Sequence, residues 1–189
     1  MEKFYIALLS LALLGSTVQA EEYAIDNGGM HASIQFKVSH LGYGWVSGRF
    51  NDFKGTVNYD NNNPSASKIE VTIATASVDS NHALRDKHLR SEDFLVVDKF
   101  PEAKFVSTSF TEGKDGAAIV EGNLTLRGVT KAITIDAQKL GEGKDPWGGY
   151  RIGFEGSTKI AMADFGITKN LGPTSMDINL IFSFEAIKK

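Results

Sequence analysis

Apolar and polar residues alternate one by one along most of this chain of 189 residues. A period of two places successive side chains on opposite faces of a β-strand, so the pattern predicts strands with one apolar and one polar face. Segments 33–39, 68–73, 121–127 and 150–160 show it clearly. The most regular example is the last strand, where one face carries Met176, Ile178, Leu180, Phe182 and Phe184.

Shorter or less regular strand candidates lie near 23–26, 45–59, 104–111 and 132–137, which brings the expected number of strands to eight or nine. Strands with one polar face are typical of antiparallel sheets, so we predict an all-β protein. The period alone leaves open whether the strands stack as a sandwich or close as a barrel. Closure would remove exposed strand edges, and a barrel of eight strands can hold one small ligand.

Residues 80–95 interrupt the alternation. Good helix formers, with Ser80 and Ser91 as candidate N-caps, predict two short helical pieces here. The run from Arg85 to Arg90 is the most highly charged part of the chain. We interpret it as a solvated helix face with an Asp86–Arg90 ion pair; the alternative is a polar lid that meets a ligand at the mouth of a barrel.

The first twenty residues have the features of a cleaved signal peptide. Lys3 supplies a positive charge, an apolar run follows from Phe4 to Leu14, and small residues precede a cleavage position after Ala20. The apolar run is far shorter than the about 20 residues of a membrane-spanning helix. We therefore predict one domain of 189 − 20 = 169 residues (21–189), exported and not integral to a membrane.

Composition and motif content argue against several classes of function. Lys and Arg number 20 against 23 Asp and Glu, so the net charge of −3 argues against nucleic-acid binding. The absence of cysteine excludes disulfides, thiolate metal sites and a cysteine nucleophile. The histidines (His31, His40, His82 and His88) lack metal-ligand spacing, and no catalytic motif is found, so we predict neither a metal site, nor a cofactor, nor an enzyme.

Residues 79–94, DSNHALRDKHLRSEDF, resemble the signature of the YceI family, also called polyisoprenoid-binding proteins. Segments 32–42, 122–131 and 145–149, with Asp164-Phe165-Gly166 downstream, agree with that family in the same order. The resemblance covers about Tyr23 to Ile187 and is strongest to the periplasmic branch of Gram-negative bacteria. It implies an elongated, lipocalin-like antiparallel β-barrel of about eight strands with a short helix near one end. It also implies a long isoprenoid lipid, of quinone or prenyl-phenol type, inside that barrel.

From this we predict a periplasmic protein that carries or stores an isoprenoid lipid, with membrane or pH stress as a setting. Its head-group candidates are Arg85, His88 and Arg90, although these residues could instead tie the helix to the barrel rim. One alternative is a ligand-free interaction or stress-response module filled by its own side chains, and another is an enzyme acting on such a lipid. A homodimer stays open as an alternative to a monomer. The predicted inward-facing residues, expected to contact the lipid tail, are Ile34, Phe36, Val38, Leu124, Leu126, Ile152, Phe154, Ile178, Leu180 and Phe182.

Overall fold

The computed structural model describes residues 20–28 and 31–189, so the predicted signal peptide, apart from Ala20, lies outside the described residues. The described part contains eleven strands and one α-helix, α1 (Ala83–Arg90), which lies between β6 and β7. The strands are β1 (Glu21–Ile25), β2 (Ala32–His40), β3 (Gly44–Phe50), β4 (Phe53–Tyr59), β5 (Lys68–Ala74), β6 (Val78–Asp79), β7 (Glu102–Glu112), β8 (Ala117–Leu126), β9 (Val129–Lys144), β10 (Tyr150–Ala161) and β11 (Asp177–Lys188).

The strands form a closed antiparallel barrel. Eight of them make a ring in the order β1-β4-β5-β7-β8-β9-β10-β11, and β11 pairs again with β1. The remaining strands, β2, β3 and β6, continue the sheet beside the first half of β11. Tyr23 opposite Lys188 and Ile25 opposite Ala186 mark the seam of the ring. The predicted barrel of about eight strands is confirmed, and the sandwich alternative is excluded.

The connections divide the barrel into two ends. We call one the lid end, because it carries the β2–β3 turn, α1, the β8–β9 turn and the segment 162–176 that precedes β11. The other, the base end, carries the connections β4–β5, β7–β8 and β9–β10. None of the helices in residues 20–28 and 31–189 has the length and apolar character needed to cross a bilayer.

A change of parity explains why the segment 45–59 looked irregular in the sequence. Its inward residues are even-numbered in β3, where Val46 and Phe50 face the interior. They are odd-numbered in β4, where Phe53 and Val57 are buried. Two residues, Asn51 and Asp52, separate the inward-facing Phe50 from the inward-facing Phe53, where strict alternation would leave only one. Because side chains alternate with a period of two, this one additional residue exchanges the two faces.

Residues 80–95 form one helix, so the prediction of two helical pieces is wrong. The N-cap of α1 is His82, whose ring nitrogen accepts a hydrogen bond from the Arg85 amide at 3.2 Å, and not Ser80. Ser91 ends this helix and does not begin another, because its amide and its hydroxyl both donate to the carbonyl of His88. The chain then turns through Val96, whose φ of 50° lies in the left-handed region.

Candidate functional site

An apolar cavity of about 610 Å³ occupies the interior of the barrel. It lies within the range of about 300–1,000 Å³ that is typical of ligand pockets. Nine of the ten residues predicted from the alternation line it: Ile34, Phe36, Val38, Leu124, Leu126, Phe154, Ile178, Leu180 and Phe182. The exception is Ile152, which is fully buried but pairs with Ala186 two residues closer to the base end than Phe154, outside the cavity lining.

Several wall residues are only partly buried although they face the barrel interior. Val38, Ile178 and Leu180 belong to this group, and they lie side by side on β2 and β11. Interior side chains of a filled barrel would lose almost all of their accessible surface to their neighbours. The partial exposure therefore arises because these residues face open space, so this part of the wall is not packed against other side chains.

An aromatic cluster ends the cavity toward the base. Phe154 lies 6.2 Å from Phe110 and 5.8 Å from Phe184 between ring centroids, and all three rings line the cavity. Behind them Tyr59, which is buried, makes edge contacts with Phe110 and Phe154. Burial and the hydrogen bond that the Tyr59 hydroxyl donates to Glu112, at 3.0 Å, raise the pKa of this phenol above its ordinary value. The cavity lining ends at the three Phe rings, and Tyr59 closes the base behind them.

The cavity reaches the surface at the lid end. Four of its five exposed lining residues lie there: His40 and Leu41 at the end of β2, His88 on α1, and Asn170 in the segment before β11. The fifth is Glu155 on β10. Polar groups are thus confined largely to one rim of an otherwise apolar chamber, an arrangement that suits a ligand with a long apolar part and a small polar end.

Two of the three predicted head-group residues are engaged in holding the helix. Arg85 lines the cavity, but its Nε and Nη2 donate to the Ser80 hydroxyl and carbonyl at 2.7 and 2.6 Å. Arg90 lies outside the lining and donates to the carbonyls of Ala76 and Val78 at 2.8 and 2.7 Å. These contacts fit the alternative interpretation, in which the arginines tie α1 to the barrel rim.

The third candidate, His88, lies at the mouth within a short polar chain. Its Nε2 is 2.7 Å from Asp93 Oδ2, which also accepts a hydrogen bond from Lys169 at 2.7 Å. The hydrogen bonds from Lys169 and His88 lower the pKa of Asp93 below its ordinary value. The ring also makes an edge contact with Phe94, at 5.0 Å between centroids.

Asp86 is the buried centre of the network that holds the helix. The Ser80 hydroxyl and amide both donate to its Oδ1, the amide at 2.8 Å. The hydrogen bond from the Ser80 hydroxyl lowers the pKa of Asp86, and it outweighs the opposing effect of burial. Arg85, Asp86 and Arg90 of the most charged run therefore anchor the helix, whereas Lys87 is exposed and His88 lies at the mouth.

One group of potential metal ligands exists among the described residues, at the base end of the barrel. Ligand atoms of Asp26, His31 and Glu185 lie within 4.8 Å of one another. The guanidinium of Arg151 donates to both carboxylates, at 2.6 and 3.0 Å. Because a protein cation already pairs with both carboxylates of this cluster, its chemistry fits an ion-pair network better than a metal centre.

Some of the wall residues that the sequence pattern missed come from irregular or interrupted strands, whereas Val71, Ile73 and Phe184 lie in strands whose alternation is clear. In β7 a register shift between Ser107 and Ser109 moves the inward face from odd to even positions, which brings both Phe105 and Phe110 into the wall. Four missed residues of the rim, by contrast, lie in or beside turns, where no period exists. The missed residues include Val46, Phe50, Val71, Ile73, Phe105, Phe110, Val120, Ile133, Ile135 and Phe184 in the wall, and His40, Leu41, Asn170 and Leu171 at the rim.

Comparisons with known proteins agree with this architecture. A UPF0312 protein of Ectopseudomonas mendocina is 54% identical over 182 residues, covering 96% of this chain and 95% of that protein. The crystal structure of a Campylobacter jejuni YCEI protein superposes with a TM-score of 0.72 at 34% identity, covering 81% of this chain and 91% of that one. A polyisoprenoid-binding domain from Saccharophagus degradans has the same fold, with a TM-score of 0.67 at 18% identity over 88% of this chain and 98% of that one.

The family described as YceI-like domain matches residues 23–186, which is nearly the whole described barrel from β1 into β11. The four segments that carried the resemblance all lie within this range. The chain therefore belongs to the family of proteins with a YceI-like domain.

Proposed function

We propose that this protein carries or stores a long-chain isoprenoid lipid of the quinone or prenyl-phenol type in the periplasm. The observation that carries the proposal is the apolar cavity of about 610 Å³ with a single largely polar rim. A solved domain with the same fold is a polyisoprenoid-binding domain, which supports an isoprenoid as the ligand. A ligand-free interaction module would need an interior filled by its own side chains, and the open cavity argues against that alternative.

The volume of the cavity sets an expectation for the length of the enclosed tail. An apolar cavity of about 150 Å³ accommodates one benzene molecule, that is, about 6 carbon atoms. At the same density, 610 Å³ holds about four times as many, or about 24 carbon atoms. This corresponds to about five isoprene units, so a longer tail would leave its remaining units in the mouth or outside.

The energetics of binding favour a preformed chamber. A tail that buries about 400 Å² of apolar surface gains on the order of 10 kcal/mol. Association costs between about 4 and 15 kcal/mol in lost freedom, so a useful surplus requires that the protein does not have to rearrange. The wall of β-strands and the sealed base meet this requirement.

The head group in this proposal is neutral. A phosphate would call for free cationic groups in the lining of the mouth, whereas Arg85 is already engaged with Ser80 and neither Lys87 nor Arg90 lines the cavity. His40, His88 and Asn170 at the rim offer the weaker hydrogen bonds that suit a quinone or phenol oxygen.

Native mass spectrometry of the protein purified from its own cells, followed by solvent extraction, tests this proposal. We expect a discrete added mass that fragments as isoprene units, carries no phosphorus and is recovered chemically unchanged. A bare protein mass that stays unchanged after incubation with quinones and prenyl lipids would overturn the carrier function. Time-dependent conversion of the lipid would indicate an enzyme instead.

Export is a separate part of the proposal with its own test. If residues 1–20 are a cleaved signal peptide, the intact mass of the purified protein corresponds to a chain that begins at Glu21. Cell fractionation should find that chain in the periplasm. A retained Met1 or a cytoplasmic location would contradict the export.

A further inference from the structure

Several exposed apolar side chains lie on the elements of the lid end. Tyr43, in the β2–β3 turn, is 90% exposed, and Leu84, in the first turn of α1, is 75% exposed. Leu41 and Trp45 beside that turn are about half exposed. Leu41 also lines the cavity, so the apolar interior continues onto the outer surface at this point.

Leu41 adopts a backbone conformation that a branched apolar residue rarely takes. Its φ is 53°, and it is followed by Gly42 with a φ of 81°. Such strain persists where the surrounding structure imposes it, and it clusters at functional sites. Here it holds an apolar side chain at the rim, half in water, where it adds little to the stability of the fold.

Helix α1 is locally cationic, although the whole chain has a net charge of −3 and the loop after the helix carries Glu92, Asp93 and Asp98. Helix α1 carries Arg85, Lys87 and Arg90, while its one acidic residue, Asp86, is buried against Ser80. Lys37 adds a further cation, and its Nζ lies 4.4 Å from the centre of the Trp45 ring. Apolar and aromatic side chains bordered by cations are the combination that binds to the head-group layer of an anionic bilayer.

We propose that the lid end docks on an anionic lipid bilayer through a surface formed by Leu41, Tyr43, Trp45 and Leu84. Docking places the mouth of the cavity against the head-group layer, so an isoprenoid tail passes between membrane and barrel without crossing water. Tyr and Trp suit this position because one part of each ring system is apolar and another is polar. The inference rests on the proposed carrier function and adds the surface at which the lipid is exchanged.

The base end provides an internal control. Trp147, in the β9–β10 connection, is 76% exposed, and Arg151 lies over its ring at 5.5 Å, much as Lys37 lies over Trp45. The 12 residues of β10, about 36 Å of strand, separate this connection from the lid end. The cavity is sealed at the base, and Arg151 is there surrounded by carboxylates, including Asp145 and Glu185. Trp147 should therefore stay in water when the lid end docks.

Trp45 and Trp147 are the two tryptophans of the sequence, so single-tryptophan variants report on each end separately. Trp147→Phe leaves Trp45 at the lid end, and Trp45→Phe leaves Trp147 at the base. Each variant is titrated with vesicles of phosphatidylethanolamine and phosphatidylglycerol that contain brominated acyl chains. We expect Trp45 emission to shift to the blue and to be quenched, while Trp147 emission stays unchanged. Equal responses at both ends, or no response of Trp45, would overturn the inference.

A pair of surface substitutions tests the same surface without changing the reporter. Tyr43→Ser, measured by vesicle sedimentation, should weaken binding about tenfold, because an aromatic ring no longer enters the bilayer. Trp147→Ser should leave it unchanged. If Tyr43→Ser binds vesicles as tightly as the wild type, the proposed docking surface is wrong. Lipid extraction from the same preparations separates the two proposals. If the protein retains isoprenoid but does not bind vesicles, only the proposed docking surface is contradicted. If it binds vesicles but never takes up lipid, only the proposed carrier function is contradicted.

Discussion

Leu180 and Ile181 are neighbours on β11 whose side chains meet opposite environments. Leu180 faces the cavity, whereas Ile181 is exposed on the outer surface of the barrel. Phe154 also lines the cavity, but it is packed against Tyr59 and Phe184, so a charge there would threaten the fold itself. Leu180 is therefore the better position at which to separate binding from folding.

Leu180→Asp should remove the bound lipid. An unpaired carboxylate in an apolar chamber is strongly unfavourable, and it draws water into the space that the tail would occupy. We expect the lipid content, measured by native mass spectrometry, to fall at least tenfold, while circular dichroism still reports a folded barrel. Ile181→Asp is the control and should keep its lipid. If the lipid content of Leu180→Asp is unchanged, Leu180 does not contact the bound lipid.

Asp86 should matter for stability and not for recognition. Asp86→Ala leaves the Ser80 amide and hydroxyl without their acceptor, which should lower the free energy of unfolding by about 1.5–3 kcal/mol. Chemical denaturation of the two proteins measures this difference. Lys87→Ala, an exposed neighbour on α1, should change stability by less than about 0.5 kcal/mol.

The contribution of Asp86 should also depend on pH. Because its pKa is lower in the folded protein than in the unfolded chain, its contribution is complete above the ordinary aspartate pKa of about 3.9. It is lost as the pH falls through the lower folded-state value. The difference in stability between wild type and Asp86→Ala should therefore be constant near pH 7 and shrink in acid. A difference that grows in acid would contradict this assignment.

At the scale of elements, two strand glycines make room for aromatic rings of neighbouring strands. A Cβ added to Gly48 would lie 2.3 Å from the ring of Phe36, and one added to Gly122 would lie 2.4 Å from the ring of Phe105. Both rings line the cavity, so each glycine lets a large wall residue lie flat over its neighbour. The glycines that the sequence scatters through the strands include these two, and here they serve close packing.

Gly122→Ala should therefore destabilise β8 against β7. The added methyl group meets the Phe105 ring and the Val106 carbonyl, and overpacking of this kind costs about 1–3 kcal/mol. Gly141→Ala is the matched control, since a Cβ there meets nothing within 4 Å, and it should be neutral or slightly stabilising. Thermal unfolding of both variants measures the effect. Equal stability of the two would show that the Phe105 ring can move aside.

The strands differ in how well their sequences predict them, and the difference has a physical cause. β11 keeps one parity over its whole length, so its inward residues Ile178, Leu180 and Phe182 could be read directly. Between β3 and β4, and within β7, an inserted residue exchanges the inward and outward faces. The alternation on either side of the insertion does not show which face is inward after it. The turns after Ser91 are closed by backbone hydrogen bonds, among them those of the Phe94 and Val96 amides to the Ser91 carbonyl, and such irregular turns have no period in the sequence.

The empty volume inside the barrel should make the stability of the whole molecule depend on its ligand. A lipid that binds the folded protein at 100 times its dissociation constant adds about 2.7 kcal/mol to the free energy of unfolding. For a domain of this size, that corresponds to an increase in Tm of roughly 5–10 °C. Calorimetry before and after solvent extraction of the lipid checks this. Identical melting curves would mean that the cavity contributes no ligand-dependent stability.

The seam between β1 and β11 joins residues 188 − 23 = 165 positions apart in the chain, through the pairing of Tyr23 with Lys188. Contacts of such separation form late in folding, because a long stretch of chain must be ordered before they are gained. The chamber is complete only when this last pairing has formed, so no lipid can be enclosed while the chain is still being synthesised. With only three residue pairs in register, the seam is also where the ring can open most easily. Closure of this short seam thus sets when the chamber is complete, and entry of the proposed lipid then takes place through the mouth at the lid end.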